Sequence, residues 1–187
     1  MSRNSLRPSS SRRFVPVVSQ MEARITPSVA YTLSNNSLVA FDTTNPAAAL
    51  PPLTVTGLTA GQNLVAIDFR PQNGQLYGLG YDATMSAVQL YAISYQSGVA
   101  TPIGANSGFV GSDGTTPILV TGPGFGMDFN PTVDRIRVVT STGQNFRINP
   151  NTGAFIDGNL GGAAGSVSGL NMDGAANGPA TSIAGTA

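Results

Sequence analysis

The sequence predicts an all-β fold in which antiparallel four-stranded meanders repeat as a partial, open β-propeller-like array of about three blades. The first observation behind this prediction is a motif stated twice, since the run 65–71 (VAIDFRP) returns as 125–131 (FGMDFNP). The second is a composition with 23 Gly and 13 Pro, which suits short strands separated by turns. The third is an apolar and polar alternation from residue 29 onward, which is typical of strands.

The predicted strands follow one order along the chain. The array opens with a hairpin, whose strands at 31–33 and 38–41 flank the turn-forming residues 34–37. The second copy of the repeat is predicted to contain strands at 64–69, 76–79, 90–95 and 99–103, and the third copy strands at 125–129, 136–139, 145–148 and 154–156. Each full copy is therefore expected to be a four-stranded meander.

The first copy lacks one strand of this unit. Tyr31 aligns with Tyr77 and with Arg137, so the first copy begins at the second strand of the repeat. In a closed propeller the missing Asp-Phe strand would come from the far end of the chain, but no third Asp-Phe strand is present. An open array exposes sheet edges, which favour pairing with another chain.

The composition holds few residues that carry chemistry. All nine basic residues are Arg, nine residues are acidic and only 10% are charged, so we do not expect nucleic acid as a partner. Cys, His, Lys and Trp are absent and Glu22 is the only Glu, which removes most groups used in proton transfer, covalent catalysis and metal binding. We expect a protein that is not an enzyme and has no cofactor. No stretch approaches the ~20 apolar residues of a transmembrane helix.

The chain divides into three predicted segments. They are a basic Ser/Arg-rich tail or export segment at 1–28, the repeat domain at 29–160, and a Gly/Ala/Ser-rich segment at 161–187. In the first segment the runs 12–16 (RRFVP), 20–24 (QMEAR) and 26–28 (TPS) resemble the N-terminal segment of planctomycete-type extracellular proteins, with Met21 in place of the usual Leu. The resemblance implies an extracellular or cell-surface location. A disordered basic tail is the alternative.

Two repeated aspartates are candidate binding residues. Asp68 and Asp128 each precede a Phe, and strand alternation places each carboxylate on the face opposite that Phe. They are either ligands and general bases, or structural groups that accept backbone N–H bonds and fix the turn containing the Pro. We favour the structural interpretation, because the residue repeats together with the fold.

Three arginines in the third copy are further candidates. Arg135, Arg137 and Arg147, together with Phe146, would form a sugar- or anion-binding strip if they share one face of the sheet. A solvated strand face is the alternative interpretation.

Three segments of the chain carry a wider resemblance. They are 64–77, 124–139 and 143–153, the last with the run GQNFRINPNTG. Through them, residues 29 to about 160 resemble a bacterial family of secreted, propeller-like domains of unknown function. The resemblance implies a β-repeat domain and supplies no catalytic residues.

These observations favour a non-enzymatic, extracellular or cell-surface β-repeat module with a structural or binding role. Its expected partners are a second copy of the chain or another β edge, with carbohydrate as a further candidate. One alternative is a polysaccharide hydrolase or lyase that uses Asp68, Asp128 or Asp134 with Tyr77 or Arg137. A truncated gene product without separate activity is the other. Two carboxylates in one cleft would favour an enzyme, whereas carboxylates engaged in turn hydrogen bonds would oppose it.

Overall fold

The computed structural model describes residues 29–107, 109–110 and 117–156, with side chains described up to residue 104 and again from residue 119. Within these residues every regular element is a strand. The strands are β1 Val29–Ser34, β2 Ser37–Asp42, β3 Leu53–Thr54, β4 Asn63–Phe69, β5 Leu76–Asp82, β6 Ala87–Ile93, β7 Ala100–Ser107, β8 Phe109–Val110, β9 Pro117–Ile118, β10 Phe125–Asn130, β11 Arg135–Thr140, β12 Asn145–Ile148 and β13 Phe155–Ile156. The predicted segments 1–28 and 161–187 lie outside the described residues.

Three antiparallel sheets form the described part of the domain. The first sheet has the order β1-β2-β3, the second β4-β5-β6-β7 and the third β10-β11-β12-β13, while β8 and β9 form a separate two-stranded pair. Each sheet is a meander in which consecutive strands are neighbours, and the sheets do not close into a barrel. The predicted all-β, open propeller-like arrangement is therefore confirmed.

Local turn chemistry explains where the chain reverses. In the first hairpin Asn35 adopts a φ of 51°, a left-handed conformation that asparagine tolerates better than most residues. In the second sheet the Arg70 N–H donates to the Gln75 carbonyl at 2.9 Å, and Gly74 adopts a φ of 69°. The side-chain oxygen of Asn73 accepts the Gln75 N–H at 3.0 Å, which closes an Asx turn.

Several details of the predicted strands differ from the structure. The strand predicted at 90–95 spans Ala87–Ile93, and the strands predicted to end at 79 and 103 end at Asp82 and Ser107. The short strands β3, β8 and β9 were not predicted. β3 pairs with β2 through only two residues, and it follows Pro51 and Pro52, which have no N–H to donate. Its identity as a strand depends on its neighbour rather than on its own sequence.

The second sheet is buried on both faces. Toward the first sheet it contributes Leu64, Tyr91 and Ile93 to one hydrophobic cluster. Toward the third sheet it contributes Leu79 and Leu90 to another. Burying an aliphatic side chain of this kind contributes about 1.5–3 kcal/mol. The middle sheet therefore holds the other two together.

The last strands of the three sheets, β3, β7 and β13, form what we call the outer rim of the array. One backbone contact recurs there at both junctions between sheets. The tight turns before β7 and β13 contain Gly98 and Gly153, whose N–H groups each donate to the residue four positions earlier at 2.8 Å. A Cβ on Gly98 would lie 2.4 Å from the Thr54 carbonyl oxygen of the first sheet, and one on Gly153 would lie 2.1 Å from the Ile103 carbonyl oxygen of the second. Each turn thus rests directly on the outer strand of the preceding sheet.

We predict that Gly153→Ala lowers the free energy of unfolding by more than about 2 kcal/mol, because a left-handed φ of 68° and a backbone clash both oppose the methyl group. Gly74→Ala is the matched control, since its φ is 69° but no atom lies within 4 Å of the added Cβ. The control should lose only about 1 kcal/mol. Urea unfolding of both variants measures the difference, and equal losses would contradict the close contact.

Candidate functional site at the junctions between sheets

An aromatic contact recurs at the inner end of each junction. Tyr77 of the second sheet packs edge-on against Phe129 of the third, with ring centroids 5.2 Å apart. Tyr31 of the first sheet makes the same kind of contact with Phe69 of the second, at 5.6 Å. Tyr31 is therefore the structural counterpart of Tyr77, as expected if the first sheet begins at the second strand of the repeat.

Asp68 joins the inner strands of the second and third sheets. One carboxylate oxygen accepts the N–H of Phe69 and the other accepts the N–H of Phe129, both at 2.8 Å. Burial raises the pKa of Asp68, with a further contribution from the nearby charge of Asp128, although the two backbone hydrogen bonds act in the opposite direction. Backbone N–H acceptance was predicted for this carboxylate, but the bond crosses to the next sheet rather than fixing the turn with Pro71.

Arg70 forms a second link between these sheets, at the turn after β4. Its side chain is only 6% exposed. It donates Nε–H to Asp134 Oδ1 at 2.8 Å and a second N–H to Asp134 Oδ2. The Nη1 group also donates to the Tyr77 hydroxyl at 3.2 Å and to Asn151 Oδ1 at 2.9 Å. The guanidinium holds the pKa of Asp134 below its ordinary value.

This network was not predicted from the sequence. The sequence did contain a sign of it, because the run 125–131 has Asn130 at the position that Arg70 occupies in the run 65–71. A charged residue that breaks an otherwise faithful repeat is a candidate for a contact made at one junction only.

The structure places four of the five predicted binding residues together. Asp128 lies opposite Arg137 in the register of β10 and β11, and Arg137 lies opposite Arg147 in the register of β11 and β12. Residues directly opposite one another point to the same side of a sheet, as does Arg135, two positions before Arg137. We call this surface, made by Asp128, Arg135, Arg137 and Arg147, the outer face of the third sheet.

The predicted aromatic member of this strip does not belong to it. Phe146 is 0% exposed and packs in the hydrophobic cluster against the second sheet, on the side opposite Arg147. Neighbouring residues of a strand alternate between faces, so strand periodicity alone already separates Phe146 from Arg147. Asp68 is also absent from the outer face, because it lies inside the junction between the second and third sheets.

The outer face of the third sheet carries the counterpart of Asp68. Asp128 occupies the same place in its repeat, yet no described residue hydrogen-bonds to its carboxylate. Arg137 is exposed and donates Nη1–H to Asn145 Oδ1 at 2.8 Å. Within the described residues, neither hydrophobic cluster includes a side chain from this face, although Val139 and Asn145, which lie on the same face beside Arg137, are only 3% and 7% exposed.

The described residues contain neither a candidate metal site nor a membrane-spanning helix. Across residues 29–107, 109–110 and 117–156, no three Asp, Glu, His or Cys side chains are grouped so that they could hold a metal ion. The same part of the chain contains no helix of the length and apolar character needed to cross a membrane.

The sheets and their junctions define a class of β-repeat domain. Each sheet contacts the next through a Tyr-Phe pair at the inner end of the junction and through a glycine turn at the outer rim. The sequence model of the family described as Domain of unknown function (DUF4394) matches residues 37–186, and the chain belongs to that family. No curated protein and no solved structure matches the chain significantly. The resemblance to a family of unknown function is thus confirmed.

We predict that Arg70→Met lowers the free energy of unfolding by about 2 kcal/mol, because charge-assisted hydrogen bonds between two sheets are lost while the apolar stem is retained. Arg135→Met is the control, since this arginine donates only to the neighbouring carbonyls of Val133 and Asp134. The control should change stability by less than about 0.5 kcal/mol. Guanidinium unfolding of the two variants measures both values, and a neutral Arg70→Met would contradict a stabilising link.

We predict opposite titration shifts for two aspartates. Carboxyl ¹³C shifts followed by NMR should place the pKa of Asp68 above, and that of Asp134 below, the ordinary aspartate value. The stability contributed by Asp134 is present above the pKa of the unfolded chain and is lost as pH falls through the lower folded value. For Asp68 the sign is reversed, so its ionisation costs stability as pH rises. The reverse order of pKa values would contradict these environments.

Proposed function

We propose that the chain is a non-enzymatic β-repeat module that binds another β-sheet on the outer face of its third sheet, and that a second copy of the chain is one such partner. The basic N-terminal segment supports an extracellular or cell-surface location for this module. Docking on this sheet face is additional to the pairing along sheet edges that the sequence predicts.

One observation carries the proposal. Asp68 reaches across a junction and accepts the backbone N–H of Phe129 in the next sheet. Asp128 repeats that carboxylate on the outer face of the third sheet, where no described residue donates to it. A face that carries an aspartate at the position of Asp68 is suited to bind a further strand, because the backbone N–H groups of that strand can donate to the carboxylate.

The state of the other carboxylates supports a role other than catalysis. Both oxygens of Asp68 accept backbone hydrogen bonds, and Asp134 is engaged by the guanidinium of Arg70. Paired carboxylates in a hydrolase need one free acid and one free base or nucleophile. Asp128 alone of the three lacks a hydrogen bond from the described residues, which leaves the polysaccharide-enzyme alternative with little support.

We predict that Asp128→Ala weakens self-association by about tenfold, because one charge-assisted hydrogen bond across the new junction is lost. Sedimentation equilibrium measures the dissociation constant. The unfolding free energy should stay within about 0.5 kcal/mol of that of the wild type. Thr101→Ala, an exposed position on the outermost strand of the second sheet, serves as the control and should change neither quantity.

Asp68→Ala is the contrasting variant, since Asp68 occupies the equivalent position in its repeat but lies inside the junction between the second and third sheets. It should lower the free energy of unfolding by about 2 kcal/mol because the N–H of Phe129 loses its acceptor. A wild-type chain that stays monomeric up to about 1 mM, or an association that Asp128→Ala leaves unchanged, would refute docking on this face.

A further inference from the structure

An aromatic cluster lies at the junction between the first and second sheets. The rings of Tyr31, Phe69 and Tyr95 contact one another edge-on, with all three centroid separations between 5.6 and 5.7 Å. Tyr95 is 39% exposed, so the cluster reaches the surface. The junction between the second and third sheets has two separate aromatic pairs instead of a cluster, Tyr77 with Phe129 and Tyr81 with Phe125, and the first of these pairs is buried.

An open cavity of about 220 Å³ adjoins this cluster. Tyr31 and Tyr95 form one side, and Leu50, Pro51 and Gln96 contribute to the rest. Among the described residues no charged side chain lines the cavity, and Leu50 is 61% exposed beside it. We call this cavity the aromatic cleft.

The hydroxyl groups of the tyrosines divide into two sets. Tyr77 accepts a hydrogen bond from Arg70, Tyr91 accepts one from the Thr59 N–H, and Tyr81 donates to the Val120 carbonyl. Tyr31 and Tyr95, which line the aromatic cleft, have no hydrogen-bond partner among the described residues. The hydroxyl groups of Tyr31 and Tyr95 are therefore not engaged by the described residues, unlike those of the other three tyrosines.

The geometry points to a proline-rich segment in the polyproline II conformation as the ligand of the aromatic cleft. Proline rings pack well on aromatic and aliphatic walls, and a proline-rich chain has carbonyl acceptors but no N–H donors. The described lining of the cleft matches this ligand, because it combines aromatic and aliphatic walls with Tyr31, Tyr95 and Gln96, whose side chains carry hydrogen-bond donors, and includes no charged residue. A preformed helix of this kind also loses little conformational entropy on binding.

A capped decaproline peptide tests this inference on the full-length chain. ¹⁵N NMR titration should show shifts centred on Tyr31, Tyr95 and Gln96 during the addition of peptide. Tyr95→Phe, which removes only the hydroxyl, should weaken binding by about fivefold. Tyr95→Ala, which also removes an aromatic wall, should weaken it by more than about tenfold.

Val133→Ala on the third sheet is the control, because this exposed residue lies at a turn far along the chain from the cleft. Equal binding of a glycine-serine peptide of the same length, or binding that Tyr95→Ala leaves unchanged, would overturn the inference. Binding of cellohexaose at these residues without binding of decaproline would assign the cleft to carbohydrate and overturn it as well. Asp128→Ala should not affect decaproline binding, and Tyr95→Ala should not affect self-association, so the two binding sites are tested separately.

Discussion

The hydrogen bond from the Phe129 N–H to the Asp68 carboxylate is the contact around which the junction of the second and third sheets is organised. It joins the inner strands of two sheets at 2.8 Å, where side chains alone would leave the backbone N–H without an acceptor. Because strand alternation separates Asp68 from Phe69, a single dipeptide serves two junctions. Its carboxylate is directed to the following sheet and its ring to Tyr31 of the preceding sheet.

The two junctions share a plan and differ in the side-chain contacts that join them. Both have an edge-on Tyr-Phe pair inside and a glycine turn on the rim. The junction between the second and third sheets adds the Arg70 and Asp134 ion pair, whose buried guanidinium also reaches the Asn151 side chain. The junction between the first and second sheets instead has an open aromatic cleft. The junction between the first and second sheets is joined by other bonds, including one from the Leu64 N–H to Asn36 Oδ1 at 2.8 Å.

The two proposed binding sites use different chemistry. The partner proposed for the outer face of the third sheet would supply a backbone N–H to the Asp128 carboxylate. The aromatic cleft is uncharged and suits an acceptor-only chain. The two proposed sites share no residues, so each can be tested without altering the other.

The sequence by itself determined the meander and the placement of Asp68 opposite its Phe, because turn residues and the two-residue strand period act locally along the chain. The same strand period also places Phe146 and Arg147 on opposite faces of the sheet. Only the tertiary structure decided that Asp68 bonds to the next sheet, that Arg70 meets Asp134, and that Tyr31 and Tyr95 share a cleft. These contacts join residues from different sheets, and their geometry follows from how the sheets pack rather than from any pattern within one strand.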